Sequence, residues 1–217
     1  MKITGAIFDF DGTLFDSMHV WKGVRYKFFD RIGIVLSEED EVAFRGLYLR
    51  ESIILAKERF NLPETYEELF SKFFELIKEM YLADTEPKND IIEFLEKLRA
   101  KGVKMGIATA TGEPALEAVL EKYNMLHYFD VILSTYTVGA AKTEPKVYDV
   151  VLEKLGTEKE STWIFEDALY AATTAKANGN NVDAETEAME VLKTQLNYQL
   201  LTQMQNFHFQ QMKIALQ

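Results

Sequence analysis

The chain has 217 residues, 47% hydrophobic and 27% charged, which suits a globular protein of one large domain or of a core plus a smaller domain. A formal charge of −11 argues against nucleic acid or an anionic membrane as the main partner, because an acidic surface releases no counterions from either. The absence of cysteine excludes disulfides, thiolate nucleophiles and zinc–thiolate sites.

Lys2–Phe8 reads as a buried strand that runs into the polar turn Asp9-Phe10-Asp11-Gly12-Thr13. Because Asp9 and Asp11 cut this apolar run short, it is neither a leader peptide nor a membrane span, and the cytoplasm is the expected location. Residues 17–83 show no strand alternation and predict helices over about 17–32, 38–45, 50–60 and 65–82. The last of these carries Leu69, Phe73, Leu76, Ile77 and Met80 on one face. A helix over 89–101 stops at Gly102, and Val103–Thr109 is a buried strand. Pro114 opens a helix to about Tyr123, Phe129–Ser134 is a strand, and Pro145–Leu155 is a helix. Thr162–Phe165 is a short strand, followed by a helix from Leu169 to Asn178. This alternation predicts an α/β fold, a parallel sheet with helices on both faces, and makes 17–83 a helical block inserted after the first strand.

In open parallel sheets, ligands bind beyond the carboxyl ends of the strands. The first strand here ends in Asp9 and Asp11, the second in Thr109, the third leads to Lys142, and the fourth ends in Glu166-Asp167. Any one of these has an ordinary reading as a turn, a cap or a solvated lysine. Their occurrence at four successive strand ends points to a shared site.

Asp9-Phe10-Asp11-Gly12-Thr13-Leu14 after an apolar strand resembles the first motif of the haloacid dehalogenase superfamily. Ile107-Ala108-Thr109, Lys142 with Pro145, and Phe165-Glu166-Asp167 resemble its other three motifs, so the likeness covers residues 1–179. The position of the inserted block resembles the helical-cap subfamily of phosphoglycolate phosphatases and beta-phosphoglucomutase-like enzymes. The resemblance implies a Rossmann-like core of 1–16 and 84–179 with a helical cap of 17–83. It also implies Mg²⁺-dependent hydrolysis of a small phosphorylated metabolite. Asp9 would be the nucleophile that forms an aspartyl-phosphate, and Asp11 the acid and base. Thr109 and Lys142 would hold the phosphoryl oxygens. Mg²⁺ would take the Asp9 carboxylate, the Asp11 carbonyl and Asp167, with Glu166 assisting. Gly12, Thr13 and Ala110, together with Arg50 and Trp21 of the cap, are the expected substrate contacts. Arg50 lies in Arg45–Ser52, which resembles the substrate-reading segment of such caps. Mutases of the related group carry His where Trp21 aligns, which favours hydrolysis over the alternative, a phosphosugar mutase. His19, beside it, is a weaker candidate for a proton shuttle.

Composition changes near Gly179: no Gln occurs in residues 1–179 and seven occur in 180–217. Met189, Leu192, Leu196, Leu200, Met204 and Phe207 recur at helical spacing, with Asp183 as the expected N-cap. No further apolar strand is read after Gly179, so an amphipathic helix is expected where the family's last strand would stand. Gly179–Asp183 with Gln195, Tyr198 and Phe207 resembles the C-terminal segment of flagellar basal-body proximal-rod proteins. This suggests a chimera with a tail of different origin over 180–217 and self-association through residues 183–214. A helix-mediated assembly protein carrying an inactive enzyme as passenger is therefore the second functional expectation.

Overall fold

Ala6, Ile7 and Phe8 offer no polar side chain to turn toward water, so the strand they form is stable only with both faces covered. A computed structural model of the chain, which describes residues 3–47 and 49–184, places that strand at the centre of a sheet. In chain order the elements are β1 (Gly5–Phe8), β2 (Phe15–Asp16), α1 (Met18–Arg31), α2 (Glu38–Phe44), α3 (Leu49–Arg59) and α4 (Tyr66–Asp84). Next come β3 (Glu86–Pro87), α5 (Ile91–Ala100), β4 (Lys104–Thr109), α6 (Glu113–Lys122), β5 (Val131–Ser134) and α7 (Thr135–Val138). α8 (Lys146–Leu155), β6 (Thr162–Glu166), α9 (Leu169–Ala177) and β7 (Asn181–Ala184) complete the described residues.

The main sheet runs β5-β4-β1-β6-β7, and every pair in it is parallel. Successive side chains alternate between its faces. Ile7, Ala108, Leu133 and Ile164 turn to one face, where they meet Val147, Val151 and Leu155 of α8 and Ala175 of α9. Phe8 turns to the other and stacks on Phe165 at 4.7 Å, with Phe94 of α5 and Phe129 edge-on to it. Gly106 in β4 lets α8 approach closely, since a Cβ there would fall 2.8 Å from Val151 Cγ1.

The described residues divide into two compact units, one of Ser17–Thr85 and one of the remainder. The first is wholly helical. Ser37 with Asp40, and Thr65 with Glu68, form capping boxes that start α2 and α4. Asp40 also takes the guanidinium of Arg59, and these partners hold its carboxyl down at about 2: first the Ser37 hydroxyl and backbone N–H, then Arg59. Phe29, Phe44 and Phe60 cluster at 5.0–6.3 Å. The five apolar positions named above on α4 are all buried.

One expectation is corrected here. A strand does follow Gly179: Asn181–Ala184 pairs with β6 in the register Trp163↔Asn181 to Glu166↔Ala184. Asp183 lies in this ladder opposite Phe165 and does not cap a helix. β6 is therefore not the sheet's edge, and the break in composition near Asn180 is not a break in the fold. The physical reason is that a parallel ladder is made of backbone groups, so Asn-Val-Asp-Ala can complete it, with Val182 packed against the core. Residues 185–217, where the amphipathic helix is expected, lie outside the described residues. A chain ending at Ala184 should melt above one ending at Gly179. Loss of the ladder and of the half-buried Val182 costs about 2 kcal/mol, roughly 4–8 °C for a domain of this size. Equal midpoints by calorimetry would mean that β7 adds nothing to the sheet.

Candidate active site

The turn after β1 is tight because its backbone bonds to itself. Gly12 N–H donates to the Phe15 carbonyl at 2.9 Å, and Leu14 N–H to that of Phe10 at 3.1 Å. Asp9 N–H donates across to the Phe165 carbonyl at 2.9 Å, which ties the first residue of the turn to the end of β6. Gly12 has φ +80°, and a Cβ on it would sit 2.1 Å from Asp167 Oδ2. Only glycine fits there, so the turn and the Asp167 carboxylate lie directly against each other.

Asp9, Glu166 and Asp167 each offer a carboxylate oxygen, and these oxygens lie within 4.8 Å of one another. Lys142, from the loop before α8 and only 4% exposed, places its Nζ against Asp9 Oδ1 and 2.7 Å from Glu166 Oε2. Asp11 Oδ2 accepts a hydrogen bond from Thr111 Oγ1 at 2.6 Å. Thr109, fully buried at the end of β4, accepts at Oγ1 from Thr111 N–H at 3.0 Å. The oxygens of the acid cluster are hard, anionic and close enough to share one cation, the donor set that suits Mg²⁺ or Ca²⁺ rather than a soft metal.

Burial raises the Asp9 carboxyl well above the usual aspartate range, with Glu166 and Asp11 adding to the rise and Lys142 opposing it. Asp167 is pushed up to about 6 by burial and then by Glu166, again against Lys142. Burial alone would make Lys142 shed its proton, but Asp9 and Glu166 outweigh that and raise its pKa, so it stays an ammonium. One lysine facing Asp9, Glu166 and Asp167 leaves an excess of negative charge that a divalent cation would cancel.

The Asp167 shift sets a pH dependence. Between its ordinary value of 3.8 and about 6, the folded protein keeps a proton that the unfolded chain has released. Stability of the metal-free protein therefore falls as pH rises through that window. Asp167→Asn should flatten this component in thermal midpoints measured across pH 4–7 with chelator present. An unchanged wild-type-minus-variant difference across the window would refute it.

Two side chains that the sequence reading did not single out belong to the cluster. Tyr148 Oη donates to Glu166 Oε2 at 3.1 Å, and Thr111 holds Asp11. Tyr148 reads as one more apolar position of α8, although a buried tyrosine hydroxyl itself calls for a partner. Thr111 repeats the hydroxyl of Thr109 two residues on. Of the other expected contacts, the Thr13 hydroxyl is buried without a hydrogen-bond partner among the described residues, and Ala110 is exposed in the bend after β4. Trp21 and Arg50 belong to the helical unit. Trp21 donates its indole N–H to Tyr81 Oη at 2.9 Å and, with Arg25 and Ser52, lines a cavity of about 430 Å³. Arg50 is exposed on α3, and His19 shares a hydrogen bond of 2.8 Å with the Asp84 carbonyl in the same unit.

An open, all-parallel sheet with an acid cluster and a lysine at its C-terminal strand ends defines a Rossmann-like α/β protein whose ligand site lies at that edge. Residues 6–184 match the haloacid dehalogenase-like hydrolase family, and the chain belongs to it. A phosphoglycolate phosphatase of Aquifex aeolicus is 31% identical over 163 residues, 74% of each chain. A phosphorylated carbohydrates phosphatase of Thermotoga maritima is 25% identical over 174 residues, 80% of this chain and 81% of that one. The crystal structure of CbbY from Rhodobacter sphaeroides in complex with phosphate shares the fold with a TM-score of 0.69, at 20% identity over 84% of this chain and 85% of that one. Among the described residues, no helix is long and apolar enough to cross a membrane.

Proposed function

We propose that the protein is a Mg²⁺-dependent phosphatase that hydrolyses a small phosphate monoester through an aspartyl-phosphate on Asp9. The observation that carries this reading is the convergence of Asp9, Glu166 and Asp167 around Lys142 at the strand ends of a haloacid dehalogenase-like hydrolase. Asp9, Asp167 and the Asp11 carbonyl would hold Mg²⁺, with Glu166 supporting them, and the ion when bound supplies positive charge to the phosphoryl oxygens. Asp9 attacks phosphorus, and Asp11 gives a proton to the leaving oxygen. Asp11 then takes a proton from the water that releases phosphate from Asp9. Lys142 and Thr109 hold phosphoryl oxygens, and the backbone of Gly12 and Thr13 lets the ester approach. The helical unit acts as the cap, with Arg50 and Trp21 selecting the substrate. Relatives named for phosphorylated carbohydrates and phosphoglycolate support a small anionic sugar or acid phosphate as the substrate class. Trp21, standing where related mutases carry His, favours hydrolysis over phosphosugar mutase chemistry.

A Mg²⁺-dependent screen of sugar phosphates, phosphoglycolate and p-nitrophenyl phosphate tests this reading. Turnover of at least one ester should fall by about 100-fold or more with EDTA and return with Mg²⁺. Turnover indifferent to chelation, or none on any ester, would refute it.

The Gln-rich residues 185–217, which lie beyond the family match, support a separate proposal, that this tail has a different origin and self-associates through its apolar stripe. Light scattering of the whole chain against one ending at 184 tests it. The scattering mass should fall on truncation, and an unchanged mass would overturn it.

A further inference from the structure

Asp11 must present one oxygen to the leaving group, yet the terminal torsion of an aspartate is broad and does not by itself hold that oxygen in place. We propose that Thr111 is the positioning residue for Asp11, fixing one carboxylate oxygen so that the other exchanges the proton. This rests on the phosphatase reading above.

Thr111 is fully buried, and its Oγ1 donates to Asp11 Oδ2 at 2.6 Å. Its own placement is rigid. Threonine is stiff at χ1, and the Thr111 N–H is tied to Thr109 Oγ1 at 3.0 Å, itself at the end of a central strand. α6 begins two residues later, so the hydroxyl stands on a short turn between two regular elements. The Thr111 hydroxyl proton goes to Oδ2, and Oδ1 is the oxygen that exchanges the proton with the leaving group. In the first step, Asp9 oxygen bonds to phosphorus and the ester P–O bond breaks. Its electron pair goes to the leaving oxygen, which receives the proton from Asp11 Oδ1. In the second step, water oxygen bonds to phosphorus, the bond to Asp9 breaks, and Oδ1 regains a proton from the water. Thr111 keeps its own proton in both steps and touches neither reacting atom.

Leaving-group dependence separates this role from a merely structural one. An alkyl phosphate needs a proton as its P–O bond breaks, whereas p-nitrophenolate departs without one, so only the former depends on a well-placed acid. The quantity to compare is kcat/KM, because it ends at the first irreversible step and omits hydrolysis of the aspartyl-phosphate. Thr111→Val should lower kcat/KM on the best alkyl phosphate by about 100-fold, the scale of a misplaced catalytic group, and on p-nitrophenyl phosphate by less than about 3-fold. Thr111→Ser, which keeps the hydroxyl, should recover most of the loss. Thr111→Ala replaces Val if the larger apolar group prevents folding, as judged by circular dichroism. Equal losses on both substrates, or no loss on either, overturn the proposal. Asp11→Asn is run beside them. If it shows the selective loss and Thr111→Val does not, the Thr111 assignment falls while the phosphatase reading stands. If Asp11→Asn shows no selective loss either, the assignment of Asp11 as the acid falls and takes this proposal with it.

Discussion

Asp9→Asn is expected to reduce turnover on every active ester by at least about 10⁴-fold, the scale seen when other covalent enzymes lose a nucleophile. The amide has nearly the same shape as the carboxylate but cannot attack phosphorus. It also relieves part of the crowding that raises the Asp9 carboxyl, since Glu166 and Asp11 no longer face a third charge. Thermal stability without metal should therefore hold or rise while activity vanishes, a combination that a folding defect does not produce. Turnover near wild type on any ester, with the sequence of the variant verified, would remove Asp9 from the mechanism.

Lys142→Met should have the largest effect on stability. The Lys142, Asp9 and Glu166 side chains are 3%, 7% and 1% exposed, so removing the cation leaves two carboxylates buried without it. Breaking a buried pair in this way costs about 3–5 kcal/mol, roughly a 10 °C fall in midpoint for a domain of this size. The pH dependence has a definite sign. Without the lysine, which opposes the rise, the folded-state pKa of Asp9 climbs further above its unfolded value. The folded protein then binds more protons, and the deficit relative to wild type shrinks toward pH 5 and grows toward pH 8. Mg²⁺ should recover part of the lost stability and little of the activity. A midpoint within about 2 °C of wild type in chelator at pH 8 would show that the cluster does not need its lysine.

Much of the fold is written in runs such as Ala6–Phe8 and Met105–Ala108, whose lack of polar residues admits only a strand covered on both faces. The apolar stripe of α4 is equally plain. What escaped is structure that side-chain pattern does not encode. β7 holds one branched aliphatic residue, Val182, and its ladder to β6 exists only because β6 is already in place. The β2–β3 pairing joins two residues to two, too few for any period to show. α7 is a single turn whose cap, Ser134, is itself the last residue of a strand. For the site, the order of motifs along the chain names Asp9, Asp11, Thr109, Lys142, Glu166 and Asp167, because each stands at or after a strand end. It does not name Tyr148 or Thr111, whose chemical partners lie 18 and 100 positions away. The ester itself is spelled out by no pattern in the chain.

The short antiparallel ribbon of Phe15–Asp16 with Glu86–Pro87 carries an evolutionary consequence. The chain leaves for the helical unit after Asp16 and returns from it at Glu86, and these two residues face each other across the ribbon. The doorway is therefore closed by its own hydrogen bonds, whatever lies between. Closing a longer loop costs only about 0.6 kcal/mol for each doubling of its length, so the insert can lengthen, shrink or be exchanged while the sheet stays as it is. On the proposed reading of the helical unit as the cap, descendants of this scaffold can trade one molecular taste for another by rewriting the stretch between two paired residues, leaving inherited chemistry untouched.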